Sequence, residues 1–556
     1  MAHRDIETDV LIVGGGCGGF AAALACHRMG VACVLTEHTD WLGGQLTTQA
    51  VPPDENRWIE DEAAVPAATG SYLAFRDLVR GWYRGNRKLL PDAISNAKLN
   101  PGNGWVSRLC FEPTVGQDVL QSMLAPAVAS GKVHVLYHHA PVSAGMKGDA
   151  VESVTFACQS TGNTLTVSAK FVLDATELGD LLPLVKAEYR VGAEAQTDFG
   201  EMHAREDHAQ IDEFQAISWC FALEHCPGED HTIAKPANYD FWSNYKPELS
   251  GGVGWPGKLF SWTVVGGERH EPREFAFRPW PEQPKLNELE MWRYRRIVDR
   301  SLYAPEAAPS HPDVALINMV QMDYWQKPII DVTPELKAKA LAECKEQSLA
   351  FIYWMQKEAP RFDGSDKSGY PGLKLRGTEM GTPDGFAKEP YIREARRLNA
   401  LFTVTEKHIG QTQRRSDNVP DQNASPIGMG ECFHDSVGIG HYRLDLHPST
   451  AHRNSVYAQA TPFRIPLGSL IPIRVTNLLA AGKCLGVTHV TNGAFRLHPV
   501  EWNVGEAAGA LAAFCVTRST QPRQVRDSTP LLREFQSTLS SFEIPLSWPW
   551  EKNAGL

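Results

Sequence analysis

The stretch Asp9–Glu37, DVLIVGGGCGGFAAALACHRMGVACVLTE, decides the fold. Asp9–Val13 is a short apolar run and predicts a buried parallel strand. It enters Gly14-Gly15-Gly16-Cys17-Gly18-Gly19, the pattern GxGxxG. Phe20–Met29 predicts a helix, and Gly30 is placed to end it. Val31–Thr36 predicts a second strand that closes on Glu37. Together these form a βαβ unit with an acidic residue at the spacing of a dinucleotide fold. Gly14 permits the tight turn, Gly16 lets the backbone approach a pyrophosphate, and Gly19 lets helix and strand pack closely. The helix N-terminus offers free N–H groups and partial positive charge to phosphates. Glu37 can accept from both ribose hydroxyls and would repel a 2′-phosphate, which disfavours NADP.

Context decides how such a pattern is read. Gly252–Gly257, GVGWPG, also fits GxGxxG, but a polar stretch precedes it and Pro256 interrupts it. That copy predicts a loop. The 556-residue chain carries a net charge of −11, which argues against nucleic acid as a partner. Its eleven cysteines include no CxxC pair, with Cys220 and Cys226 the nearest neighbours of note. Reduced thiols in a cytoplasmic setting are expected. No signal-peptide pattern and no membrane-spanning run are read from the sequence. Homo-oligomerisation stays open.

Three further segments extend the nucleotide reading. After Glu37 comes Trp41-Leu42-Gly43-Gly44-Gln45-Leu46-Thr47-Thr48, with a Gly-Gly shortly beyond the acidic residue. Lys170–Asp180, KFVLDATELGD, predicts a strand closing on a turn that contains Thr176 and Gly179. Asn477–Gly486, NLLAAGKCLG, predicts another strand into a turn at Gly482. Their order and spacing resemble the FAD-binding fingerprint of the glutathione-reductase type, including its ATG motif. Glu177 stands where that motif has glycine, and Lys483 stands where many relatives carry an acid.

Longer blocks carry the resemblance further. WLGGQLTTQAVPPDE, NPGNGWVSRLCFEP, VLDATELGDLLPL, PYIREARRLNALFTVTEKHI, HYRLDLHPS and NGAFRLHPVEWNVGEAAG are similar to blocks of the FAD-dependent oxidoreductase family that contains HdrA-like proteins. A more distant likeness to fumarate reductases and succinate dehydrogenases lies in Gly493-Ala-Phe-Arg496-Leu497, where that group's arginine binds substrate. The resemblance implies FAD as cofactor. Gln45–Ala50 contains no His to attach it, so non-covalent FAD is expected. By the same resemblance Gly14, Gly16, Gly19, Glu37, Gly43, Gly44, Gln45, Thr48, Thr176, Gly179, Gly482, Asn503 and Gly505 are the candidate cofactor contacts.

The expected architecture is α/β. A discontinuous Rossmann-like FAD-binding domain of the glutathione-reductase type spans residues 1–195 and 462–520. An inserted mixed α+β substrate domain spans 196–461, and 521–556 forms a C-terminal extension. The insert is dense in aromatics, among them Trp219, Trp242, Trp262 and Trp325. These read as core, or as a stacking platform for sugar rings. Helices are expected over about 333–357 and 531–539.

Candidate chemistry gathers near the C-terminal blocks. A helix opening near Glu501 and running through Gly505 would direct its positive end at a flavin, with Arg496 and His498 just ahead of it. His498 reads either as a catalytic or substrate contact or as a residue that packs the turn before Pro499. His441-Tyr442-Arg443-Leu444-Asp445-Leu446-His447 alternates strictly. One face of that strand would carry His441, Arg443, Asp445 and His447, lining a polar pocket; near-linear placement suits a metal poorly, and none is expected. His441 and His447 are candidate bases. Arg393, Arg396 and Arg397 sit at helical spacing, which predicts a solvated or salt-bridged helix face, with contact to an anionic substrate as the alternative.

The leading expectation is a dehydrogenase or oxidase that moves hydride from a polar small molecule, a sugar, glycoside or other alcohol, to flavin N5. The electron acceptor is not identified. A desaturase or reductase acting on a C–C bond of a carboxylate is the second expectation. A flavin subunit that passes electrons to a protein partner is the third.

Overall fold

The computed structural model describes residues 4–60, 67–266, 271–280, 289–417, 419 and 428–551. Strand β1 (Arg4–Val13) leads into helix α1 (Cys17–Arg28), and β2 (Cys33–Thr36) follows. Further along lie β3 (Val133–Leu136), β4 (His139–Lys147), β5 (Ala150–Cys158), β6 (Thr164–Asp174) and the distant β7 (Leu478–Ala480). They form one seven-stranded sheet in the order β3-β2-β1-β6, with β5 and β4 continuing beyond β6 and β7 also paired to it. Pairing is parallel among β3, β2, β1, β6 and β7, and antiparallel through β6-β5-β4.

β6 therefore forks the sheet. Its first half pairs with β5, from Thr164 opposite Ala157 to Ser168 opposite Ser153. Its last three residues, Val172–Asp174, pair with β7. β1 runs along its other side over the full length. Register aligns Val13 with Thr36 and with Asp174, and Asp174 with Ala480. So Gly14–Gly16, Glu37, Ala175–Asp180 and Ala481–Lys483 all leave the sheet at one carboxyl edge. Ligands of open parallel sheets bind at that edge.

Two helices cover this sheet unusually closely. In α1, Cys17 through Cys26 are all buried. In α2 (His498–Arg518), His498 through Cys515 are all buried. Neither has a polar face, because each lies inside the molecule rather than at its surface. Glycine makes the contact between them possible. A Cβ on Gly505 would lie 2.0 Å from the Gly18 carbonyl oxygen, and one on Gly509 would lie 2.4 Å from that of Ala22. Replacing Gly505 with Val is expected to cost about 3 kcal/mol or more, because the clash is with backbone. A urea-unfolding midpoint unchanged from the parent would contradict this.

A second apolar core includes Phe221, Trp262, Phe277, Trp292, Trp325 and Phe351. It packs on a four-stranded antiparallel sheet made by Arg296–Val298, Val314–Ile317, Phe221–His225 and Leu373–Leu375. The helix expected near 333–357 spans Pro334–Lys357 and is capped by the Thr333 hydroxyl. Most of the middle-region aromatics are core residues, whereas Phe241 is exposed. The Gly252–Gly257 stretch is a loop. No helix among the described residues is long and apolar enough to cross a membrane.

Two local expectations are corrected. Only Leu444–Leu446 is strand, so the alternating segment does not present one continuous face from His441 to His447. Arg393, Arg396 and Arg397 do not sit on a helix, and all three are buried. Each guanidinium is drawn inward by its own carboxylates: Arg393 by Asp323, Arg396 by Asp180 and Asp331, Arg397 by Glu194 and Glu394.

Candidate active site

A cleft follows the carboxyl edge of the parallel sheet. Gly14, Gly16, Glu37, Gly44, Thr48, Thr176 and Glu177 line it. Gly14 has φ +100°, and a Cβ there would lie 2.3 Å from the Ala175 carbonyl oxygen, so the first turn needs glycine. Gly19 serves packing instead, with its Cβ position 1.8 Å from the Gly14 oxygen. Gly43 has φ +106° and leads the chain back over the first glycine turn, where the Gly43 N–H donates to the Gly15 carbonyl. Glu37 accepts from Gly15 N–H at 2.9 Å and Thr39 N–H at 2.8 Å. Burial alone would raise its carboxyl, but His38 and these N–H groups hold it below the ordinary value. It stays ionised at the cleft edge.

Behind the cleft lies a buried charge cluster. Lys483 is enclosed and pairs with Glu177 and, at 3.4 Å, with Glu501 of the first turn of α2. Gln45 donates through Nε2 to Glu501 and to the Arg496 carbonyl, the latter at 2.8 Å. Burial pushes the Glu501 carboxyl up to about 7, against the pull of Lys483. Glu177 Oε1 is buried without a hydrogen-bond partner. It stands 2.6 Å from a Cβ position on Gly16 and 2.5 Å from one on Gly44. An unfilled acceptor between two bare glycine backbones suits a hydroxyl-bearing chain such as the ribityl arm of FAD.

The segment Pro390–Arg393 separates this cleft from a second recess. Pro390 and Ile392 line the cleft, whereas Tyr391 and Arg393 line a cavity of about 510 Å³ on the other side. Extended backbone sends alternate side chains to opposite sides, which accounts for the division. Asp54, Arg295, Asp445, His447 and Arg496 share that cavity. A larger recess of about 1050 Å³ adjoins it through Trp105, Tyr442 and Arg443.

His447 also lines the 510 Å³ cavity. Its Nδ1 donates to Asp323 Oδ2 at 2.6 Å, which leaves Nε2 as the free acceptor; Asp445 Oδ2 is 3.8 Å from that nitrogen. Asp323 is fully buried and also accepts from Ser218 and, at 3.0 Å, from Arg393. Burial would raise its carboxyl, but Arg393 and His447 bring it down to about 2. Arg496 donates to the Tyr391 hydroxyl at 2.7 Å and to Asp445 Oδ2 at 3.2 Å.

The remaining predicted residues have other surroundings. His498 is the first residue of α2, three positions before the expected opening at Glu501. Its Nδ1 accepts from Asp54 N–H at 3.0 Å, and burial pushes it down to about 3. His441 packs on Trp58 at 4.8 Å, lines the larger recess, and is likewise pushed down to about 3 by burial. Asn503 spends its amide on Val437 and Ile439 of a neighbouring strand. Thr176 bonds Asp174 at 2.7 Å, Gly179 turns at φ +66°, and a Cβ on Gly482 would face Glu501 at 3.5 Å. Asp323, Tyr391, Arg295 and Asp54 were not singled out from sequence. Asp54 sits in VPPDE, directly after the Gly-Gly block, and that proximity was the one available signal.

A family model described as FAD dependent oxidoreductase matches residues 9–539, and the chain belongs to this family. It is an FAD-dependent oxidoreductase. No curated protein matches the chain. Among solved structures, the flavin-dependent monooxygenase PieE in complex with FAD and substrate is 19% identical, covering 39% of this chain and 36% of its own, with TM-score 0.22. The glycerol-3-phosphate dehydrogenase from Bacillus halodurans complexed with FAD is 14% identical, with 39% and 40% covered and TM-score 0.23. L-proline dehydrogenase from P. horikoshii is 15% identical, with 36% and 26% covered and TM-score 0.18. The matched stretch thus spans well under half of each of these chains.

Proposed function

We propose that this oxidoreductase removes a hydride and a proton from a CH–OH group of a polar small molecule. The His447–Asp323 pair facing the 510 Å³ cavity is the observation that carries this reading. The O–H proton passes to His447 Nε2, and Asp323 stabilises the ring as it becomes charged. Asp445, beside that nitrogen, adds to the same stabilisation. Arg496 places positive charge where the substrate oxygen gains negative charge. Bound FAD supplies the two-electron acceptor for the hydrogen that leaves carbon with its electron pair.

FAD is proposed to bind without a covalent link, its pyrophosphate at Gly14–Gly16 and its ribityl arm near Gly44 and Glu177. A discontinuous glutathione-reductase-type domain over 1–195 and 462–520, with 196–461 as the substrate domain, agrees with the pairing of β7 to β6. A second reading is hydrogen removal from a C–C bond of a carboxylate, and it draws on Arg496 lining the cavity. Anaerobic mixing separates the two. Loss of the yellow colour with hydroxylated compounds is expected; bleaching by succinate and by no alcohol would reject the first reading.

A further inference from the structure

We propose that the substrate carries an oxyanion, a carboxylate or a phosphate, and that Arg295 is its anchor. Arg295 is half-buried and lines the 510 Å³ cavity. Its Nη1 donates to the Asn318 carbonyl at 2.7 Å, and its guanidinium lies over the Tyr294 ring at 4.5 Å. Its Nε is buried with no partner. Among the described residues no carboxylate reaches ion-pair distance of it. Arg393 and Arg496, which share the lining, differ in this respect, each being ion-paired, to Asp323 and to Asp445. Asp54 acts on Arg295 from beyond ion-pair distance.

A guanidinium held away from bulk water without a counter-ion is costly, and a guanidinium is built to grip an oxyanion through two parallel N–H bonds. Arg443, which is exposed, lines the same cavity and lies over Tyr457 at 5.0 Å, so it adds positive charge to the lining. The lining thus offers Arg295, with no carboxylate at ion-pair distance among the described residues, together with the imidazole of His447. An anionic hydroxy compound matches that layout: its charge sits at Arg295 and its CH–OH group at His447.

This inference rests on the reading above only for the location of the bound anion, and the test keeps the two apart. The FAD-loaded protein would be titrated with acetate, oxalate and inorganic phosphate, at constant ionic strength, to about 100 mM. Binding would be followed by the flavin spectrum and by calorimetry. At least one oxyanion should saturate, with carboxylate and phosphate told apart by which does. Arg295→Gln should weaken that binding by about tenfold or more while FAD affinity stays unchanged. Arg295→Lys should retain part of it. His447→Gln should leave oxyanion binding intact, so a failed base assignment would not disturb the result. No saturable oxyanion in the parent, or equal affinity in Arg295→Gln, would overturn the proposal.

Discussion

His447→Gln is expected to slow reduction of the bound flavin by substrate by about 10²–10⁴-fold. The glutamine amide cannot take up a proton, yet it fills similar space and can still donate to Asp323. Substrate affinity and FAD content should therefore stay close to the parent's. Stopped-flow bleaching under nitrogen gives the rate, and added imidazole should restore part of it. A rate within about threefold of the parent would remove His447 from the chemistry. His498→Gln offers the contrast. His498 accepts a backbone N–H from Asp54 and is already neutral at working pH. Its replacement should affect stability before it affects the half-reaction.

Lys483→Met should destabilise the protein by about 3–5 kcal/mol, because the buried Glu501 and the half-buried Glu177 lose the cation they share. The loss should depend on pH in a defined direction. The Glu501 carboxyl lies at about 7 in the folded protein, above its ordinary 4.5. Folded Glu501 therefore holds its proton more tightly than the unfolded chain does. Its contribution is fully present below about 4.5 and is lost as pH rises through about 7. Without Lys483 the carboxyl moves higher still, and ionising it costs more. The stability gap between variant and parent should be smaller at pH 5 than at pH 8. Urea-unfolding curves at both values check this, and an equal gap at both would show that Glu501 and Glu177 do not depend on Lys483.

Much of the cofactor half could be read from the chain. β1, α1 and β2 follow from an apolar run, a glycine pattern and a second apolar run, all local signals. β6 and β7 were recognisable because each ends at a glycine turn. The register that brings their ends to one edge depends on sheet pairing, which no local pattern states. The substrate side was legible only in pieces. Arg496 stood out by its place before a small-residue helix. His447 was one histidine of two on an assumed continuous strand. Asp323, the residue that orients it, lies in NMVQMDYW, where nothing distinguishes it from a solvated aspartate. The arginines at 393, 396 and 397 misled because helical spacing is also what an extended segment shows by chance. Apart from Glu394 beside Arg397, the carboxylates that draw them inward lie far away in sequence, a tertiary effect that overrides local pattern.

The fork at β6 also bears on synthesis. Lys483, just beyond β7, meets a partner 306 residues earlier in the chain. At ribosomal rates of about 5–20 residues per second, the end of β6 waits roughly 15–60 s for β7 to emerge. During that interval β1, β2 and β3 can pair, and so can β4, β5 and the first half of β6, but one flank of Val172–Asp174 stays open beside the half-made cofactor cleft. α2, which closes the cleft from behind, is made later still. The nascent chain thus has a window in which an unpaired strand edge is offered to any neighbour on the polysome. Its yield in cells should respond to chaperone supply and to translation speed more than its finished stability would suggest.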